Sequence, residues 1–280
     1  MKRFKNLISV LIINFIFSVS IFSQEYLIAS FNTLRLGQNK KDYKKVAEIL
    51  NNFPIIGLIE VMNREGVEKL VDSLEEFSGE KWSYFLSPYS VGTDGYKEYY
   101  AYIWKADSVS FIKENGFFHD SFSSFIRPPF GATFKIDNFD FTLVLAHFIY
   151  GKKKSFREAE AFYLNDVYNY FQNLDSIEND VIIAGDFNLP ANNNSFLPLV
   201  LKNKDNIIYA LSPSLLTTIG KKNLANSYDN IFLSLKYTKE FTGVSGTYNF
   251  TYHGFEYSRR YISDHLPVFI EISSENEDDD

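Results

Sequence analysis

Apolar and polar positions along the chain alternate between two periods, and the changes of period mark out elements. Residues 26–31 form a short apolar run that predicts a strand. Tyr43, Val46, Ala47 and Leu50 recur at helical spacing, and Pro54 stops that helix. The run 55–61 is apolar without alternation, as a strand buried on both faces is. Val67, Leu70, Val71 and Leu74 predict a second helix. Strand-like runs then dominate, at 82–86, 99–104, 108–112, 132–136 and 139–146. Phe156, Ala159, Tyr163, Val167, Tyr170 and Leu174 give a third helix, with Ser155 and Glu158 as a capping box at its start. Strands at 181–184, 231–235 and 266–272 follow. No repeat or Pro/Gly/Ser-rich linker breaks the pattern, so residues 24–274 read as one domain. Many strands with few helices imply an α/β class, two packed sheets flanked by helices.

Composition narrows the chemistry. The 280 residues include no cysteine, which excludes disulfides, thiolate zinc sites and cysteine nucleophiles. The core must hold by burial alone, and 28 Phe and 19 Tyr supply its bulk. A net charge of −7 argues against coating nucleic acid by bulk attraction. It leaves room for a local basic patch aided by bound cations. Lys2, Arg3 and Lys5 precede an apolar stretch at 7–22 and the small Ser23. That layout predicts a secretory signal peptide over 1–23, cleaved near Ser23, rather than an uncleaved anchor. The expected address is the bacterial periplasm or medium, with no stable membrane association after cleavage. Residues 275–280 form an acidic tail, read as a solvated end.

Unusual polar residues fall where the apolar runs stop or start. Asn32 follows the first strand, Glu60 nears the end of the second, His147 ends the 139–146 strand, and Asp186 with Asn188 follows 181–184. Asp229 precedes the 231–235 strand, and Asp264 with His265 precedes the last. These eight residues meet on one rim if the last two strands run antiparallel to the others. Carboxylate and amide oxygens suit hard cations such as Mg²⁺, Mn²⁺ or Ca²⁺, and histidines move protons near neutral pH. That combination matches phosphodiester hydrolysis. No P-loop, dinucleotide fingerprint or nucleophile elbow is present.

SFNTLRLG (30–37), LIEV (58–61), YKE (96–98), AH (146–147), AGDFN (184–188), YDNI (228–231) and SDHLPV (263–268) occur in this order. The set resembles the endonuclease/exonuclease/phosphatase superfamily, and within it the deoxyribonuclease I branch. The resemblance implies a four-layer α/β sandwich and direct, in-line hydrolysis of DNA to 5′-phosphate ends. It implies Glu60 as the central metal carboxylate, with Asn32 and Asp264 completing or supporting the metal and phosphate site. It places Asp186 and Asn188 at the phosphate, its metal or the attacking water. His147 is paired with Glu98, and His265 with Asp229. Which histidine is base and which acid stays open, with His265 favoured as base. Mg²⁺ or Mn²⁺ is the implied ion, with Ca²⁺ a further candidate.

Tyr96 matches a residue that reaches the DNA minor groove, and Arg127 matches a phosphate-contacting arginine. Where the family carries a groove-reading arginine after LIEV, this chain has Met62, and Arg64 is the nearby substitute. Lys152, Lys153, Lys154 and Arg157 read equally as a solvated turn or a DNA-backbone patch. Residues 241–261 read equally as a hairpin beside the site or a plain surface excursion. His119 and His253 match no motif and are expected to be surface or structural. The expected activity is a secreted DNA endonuclease acting as a monomer, serving nutrient scavenging or degradation of extracellular DNA. No protein partner is evident. The competing expectation is a sphingomyelinase-like or inositol-phosphate enzyme of the same fold. A non-enzymatic binding module on a decayed fold is a third, against which the completeness of the cluster argues.

Overall fold

A computed structural model describes residues 24–175 and 177–274; the expected signal peptide and acidic tail lie outside them. The first half of the chain runs β1 (Glu25–Leu36), α1 (Tyr43–Leu50), β2 (Ile55–Val61), α2 (Arg64–Ser78), β3 (Trp82–Leu86), β4 (Val91–Thr93), β5 (Tyr96–Lys105) and β6 (Val109–Phe117). It continues with β7 (Phe130–Ile136), β8 (Phe139–His147), α3 (Lys154–Gln172), β9 (Val181–Asp186), β10 (Ile207–Tyr209), β11 (Asp229–Ser234), β12 (Phe241–Thr247), α4 (Phe255–Tyr261) and β13 (Val268–Ser273). One sheet has the order β12-β13-β1-β2-β5-β3, with β4 paired to β5; the other has the order β10-β11-β9-β8-β7-β6.

The two sheets pack face to face. Tyr100, Tyr102, Phe130, Phe134 and Phe141 fill the space between them with Ile28 and Ile270. On the outer face of the first sheet, α1 and α2 bury Val46, Leu50, Val67, Leu70 and Leu74. On the outer face of the second, α3 buries Ala161, Leu164, Val167 and Phe171. The result is the expected four-layer sandwich. Asp42 caps α1 by accepting from Lys45 N at 3.2 Å. Asn63 caps α2 by accepting from Gly66 N at 2.9 Å, and Gly79 ends it with a left-handed φ of 72°.

Three expectations need correction. The capping box at Ser155 does not form: Lys153 is the N-cap of α3 and makes no side-chain cap bond. Glu158 instead pairs with Lys154 at 2.9 Å. The buried face of α3 is also rotated from the predicted one, leaving Phe156 and Leu174 exposed and Glu160 buried. Glu160 goes inward because its carboxylate accepts from the backbone N–H of Ile126 (3.0 Å) and Ile149 (2.6 Å), satisfying loop donors that no sheet reaches. Residues 241–261 are not a hairpin. They contribute the edge strand β12 and then α4.

Tyr102 links the two sheets. From β5 its hydroxyl lies 2.8 Å from the carbonyls of both Phe130 and Leu143 on the opposite sheet. Its phenolic pKa is pushed well up by burial. Tyr102→Phe should lower unfolding free energy by about 1–2 kcal/mol in a denaturant titration. An unchanged midpoint would show that the link contributes nothing.

Candidate active site

Strand direction decides what meets at the rim. β1 and β2 are parallel, as are β8 and β9, so four strand ends point the same way. β11 runs antiparallel to β9, and β13 antiparallel to β1, so their starts arrive at that same edge. Register then sets three side chains abreast: His147 is paired with Asp186, and Asp186 with Asp229. Gly185 permits this close packing. Its φ is 152°, and a Cβ there would fall 1.8 Å from the carbonyl oxygen of Ala146.

Glu60 reaches the cluster through a backbone irregularity. The β1–β2 register shifts between Asn32 and Leu36, and the β2–β5 register shifts between Leu58 and Val61. At that break Glu60 takes a left-handed φ of 58°, and Asn188 does the same at 52°. Non-glycine residues rarely adopt this conformation, and it concentrates at functional positions.

Asp186 lies at the centre. Its Oδ2 is 3.7 Å from His147 Nε2 and 3.6 Å from His265 Nε2, and accepts from Asn32 Nδ2 at 3.2 Å. Its Oδ1 accepts from Asn188 N at 2.9 Å. Each histidine is held from behind by its own carboxylate. His147 Nδ1 is 2.6 Å from the fully buried Glu98, and His265 Nδ1 is 2.8 Å from Asp229. Thr217 donates to Asp229 at 2.6 Å, and Glu60 Oε1 lies 3.9 Å from His147 Nε2. Asp264 joins Glu60, Asp186, Asn188 and both histidines in lining one cleft of about 290 Å³.

Charge and burial oppose each other throughout. Burial would lower the pKa of His147, and so would Arg127, but the Glu98 carboxylate prevails and holds it up. Burial would raise Glu98, yet His147 and Arg127 hold it below the usual range. Burial also works against protonated His265, but Asp229 and Asp186 keep it well above an ordinary histidine. Burial pushes the Asp229 carboxyl up to about 6, with Asp186 adding to it and His265 opposing it.

The donor set suits a hard cation. Glu60, Asp186 and Asp264 bring three carboxylates into one cleft. Asp186, Asp229 and His265 also have potential ligand atoms within 4.8 Å of one another, but Asp229 is engaged by His265 and Thr217. Asn32 departs from the expected oxygen ligand. Its Oδ1 accepts from Leu34 N at 3.0 Å, and its Nδ2 donates to Glu60 (3.1 Å) and Asp186 (3.2 Å). It holds two carboxylates together instead of offering an oxygen.

Arg127 is likewise corrected. It is nearly buried, and its Nε and Nη2 donate to the carbonyls of His147 (2.9 Å) and Phe148 (2.8 Å). Two of its three nitrogens thus support the His147 strand end, not an open groove. Asn188 also donates to the Phe148 carbonyl, at 2.8 Å. The half-buried Tyr96 has its hydroxyl against Glu98 and Glu60, whose charges add to burial in raising its pKa. Arg64 does not stand in for the missing arginine, because its guanidinium donates to the Tyr84 hydroxyl at 3.0 Å. The exposed Arg35 lies 4.9 Å from the Tyr96 ring centroid. Of the basic turn, Arg157 packs over Tyr150 and Tyr228, both of which line the cleft.

Sequence reasoning missed Lys41 and Ser263. Lys41 donates to the Ile262 carbonyl at 2.7 Å. Burial lowers its pKa to about 8, against the pull of Asp264 and Glu60. Ser263, fully buried, donates to the Asn32 carbonyl at 2.7 Å and accepts from His265 N at 3.1 Å, tying the last loop to β1. Ser263 stood in a quoted motif; nothing in the spacing marked Lys41.

No family model matches the chain. A deoxyribonuclease of Thioalkalivibrio sp. (strain K90mix) is 29% identical over 264 residues, covering 87% of this chain and 70% of that protein. Deoxyribonuclease-1-like 1 of Cricetulus griseus is 26% identical over 265 residues, covering 90% and 85%. Among solved structures, an endonuclease/exonuclease/phosphatase family protein from Bacteroides thetaiotaomicron superposes with a TM-score of 0.61 at 17% identity, covering 90% of this chain and 98% of that one.

Because the left-handed backbone at Glu60 disfavours any side chain, Glu60→Gly should retain stability within about 1 kcal/mol in chemical denaturation. A loss of several kcal/mol would mean that the carboxylate itself holds the fold.

Proposed function

The chain belongs to the endonuclease/exonuclease/phosphatase superfamily, on its deoxyribonuclease I-like side, and from that premise we propose a secreted, divalent-metal-dependent endonuclease that hydrolyses DNA to 5′-phosphate ends. The observation that carries the reading is the pair of histidine–carboxylate couples whose free Nε2 atoms both face Asp186. Secretion rests on the basic and apolar layout of residues 1–23.

Each carboxylate fixes its ring with Nδ1 engaged, leaving Nε2 to move a proton. His265 takes the proton of the attacking water, and its charge is stabilised by Asp229. His147 protonates the departing oxygen, with Glu98 behind it. Water attacks phosphorus directly, so no covalent bond to the protein forms. Glu60, Asp264 and Asp186 are the residues to hold Mg²⁺ or Mn²⁺, with Ca²⁺ a further candidate. When bound, the ion supplies positive charge to the phosphate oxygens. Asn32 and Arg127 keep these groups in place.

A plasmid-nicking assay tests the reading. Nicking should require Mg²⁺ or Mn²⁺ and stop with EDTA. His147→Ala and His265→Ala should each lower the rate by at least ~100-fold, as loss of acid–base catalysis does. Wild-type rates in either variant would remove that histidine from its role. Sphingomyelin or inositol-phosphate hydrolysis without nicking would favour the competing substrate.

A further inference from the structure

Beside the catalytic cleft lies a second depression that the hydrolytic chemistry does not use. It has a volume of about 620 Å³, and its walls come from α4, the turn before it, and the loop carrying Lys221 and Lys222. A smaller hollow of about 450 Å³, lined by Lys221, Glu256, Arg259 and Arg260, adjoins it, and Arg259 also lines the catalytic cleft. Arg259 is thus common to the smaller hollow and the catalytic cleft.

Two features set this surface apart. Among their lining residues the two depressions gather Lys221, Lys222, Arg259 and Arg260 with one acid, Glu256, while Asp42 accepts from the Tyr257 hydroxyl, on a chain of net charge −7. The surface also carries a line of rings. Tyr252 and His253 lie 4.2 Å apart between centroids, His253 and Tyr257 6.1 Å, and Tyr257 and Tyr261 5.1 Å. Tyr252, 63% exposed, lies outside the lining of both depressions and packs on His253, which lines the larger one. Lys40 and Arg260 both lie over Tyr261, at 5.8 and 5.4 Å. His253 Nε2 is buried with no hydrogen-bond partner, so a polar atom in the wall is unsatisfied.

Cations tracking a backbone beside stacked rings are the means by which proteins hold unpaired nucleic acid. A duplex keeps its base faces covered and offers only phosphates to such a surface. We propose that this groove binds an unpaired nucleic-acid strand running out of the catalytic cleft, with Lys221, Lys222 and Arg260 on its phosphates and Tyr252 and His253 against its bases. The proposal rests on the nuclease reading for its substrate class, and it adds a preference for ends and gaps over continuous duplex.

The test compares labelled hairpin DNA with a blunt end and with an unpaired extension of about ten nucleotides, within the span such grooves cover. Affinity is measured in EDTA with the full protein, so that no cleavage intervenes. The extension should tighten wild-type binding by about 10-fold or more, given that each stacked base contributes substantially. Lys221→Ala/Lys222→Ala/Arg260→Ala should lose that gain and reduce the single-strand salt slope by about 2, the value for three phosphate contacts. Tyr252→Ala, at an exposed position, should lose several-fold of the gain with the slope unchanged. Hydrolysis of bis(4-nitrophenyl) phosphate, too small to reach the groove, should stay at the wild-type rate in all of these variants.

Equal wild-type affinity for the two hairpins, or a gain that survives the triple substitution, would overturn the proposal. Equivalent competition by heparin would reduce the groove to bulk attraction and overturn it as well. Absence of an extension gain in the wild-type protein, with nicking intact, sinks the groove alone. A retained gain in a protein that nicks nothing with Mg²⁺ or Mn²⁺ sinks the nuclease reading and leaves the groove standing.

Discussion

Like charges crowded into a nearly buried space are the constraint around which this rim is built. Glu60, Asp186 and Asp264 line one cleft, with Glu98 and Asp229 directly behind it. Lys41, Arg127, Arg259 and two imidazoles are among the positive or protonatable groups placed against them. Burial makes each unpaired carboxylate expensive, so the protein must neutralise or hydrogen-bond it. The imidazoles do so by hydrogen-bonding Glu98 and Asp229, and Asn32 does so by donating to two carboxylates at once. A divalent cation would relieve the remaining repulsion and draw down the affinity of His265 for its proton, freeing Nε2 to act as a base.

The fold serves this arrangement through strand direction and a few local exceptions. Parallel pairing within β1–β2 and β8–β9 brings polar strand ends to one edge, and antiparallel β11 and β13 deliver two strand starts to it. A regular ladder would not aim Glu60 into the cleft. The register breaks around it, with its left-handed backbone, do so. The strain is local, and the aromatic core between the sheets holds the two halves of the site in register.

Much of this was legible in the residues. Buried strands read plainly because their apolar runs are continuous, and 55–61 and 82–86 match β2 and β3 at both ends. The eight-residue rim could be assembled from where polar residues interrupt those runs, given only the direction of the last strands. What failed did so for tertiary reasons. The face of α3 was misjudged because Glu160 is polar yet turned inward by two loop N–H groups far away in sequence. The short edge elements β4 and β10 carry too few residues to show a period. Arg127 and Asn32 were found by motif, but their tasks are set by which carbonyls and carboxylates lie beside them, and no spacing encodes that. Lys41 becomes visible only once α1 and the loop before β13 are seen side by side.

The proposed hydrolysis depends on the carboxylate cluster holding a cation. The direct measurement is anomalous scattering from crystals of the protein grown with Mn²⁺. A cation held there should give a peak in the cleft, within about 2.0–2.6 Å of a Glu60 oxygen and of Asp186 or Asp264, the range of hard-cation coordination. Peaks confined to other acidic surfaces, with the cleft empty at saturating Mn²⁺, would contradict it.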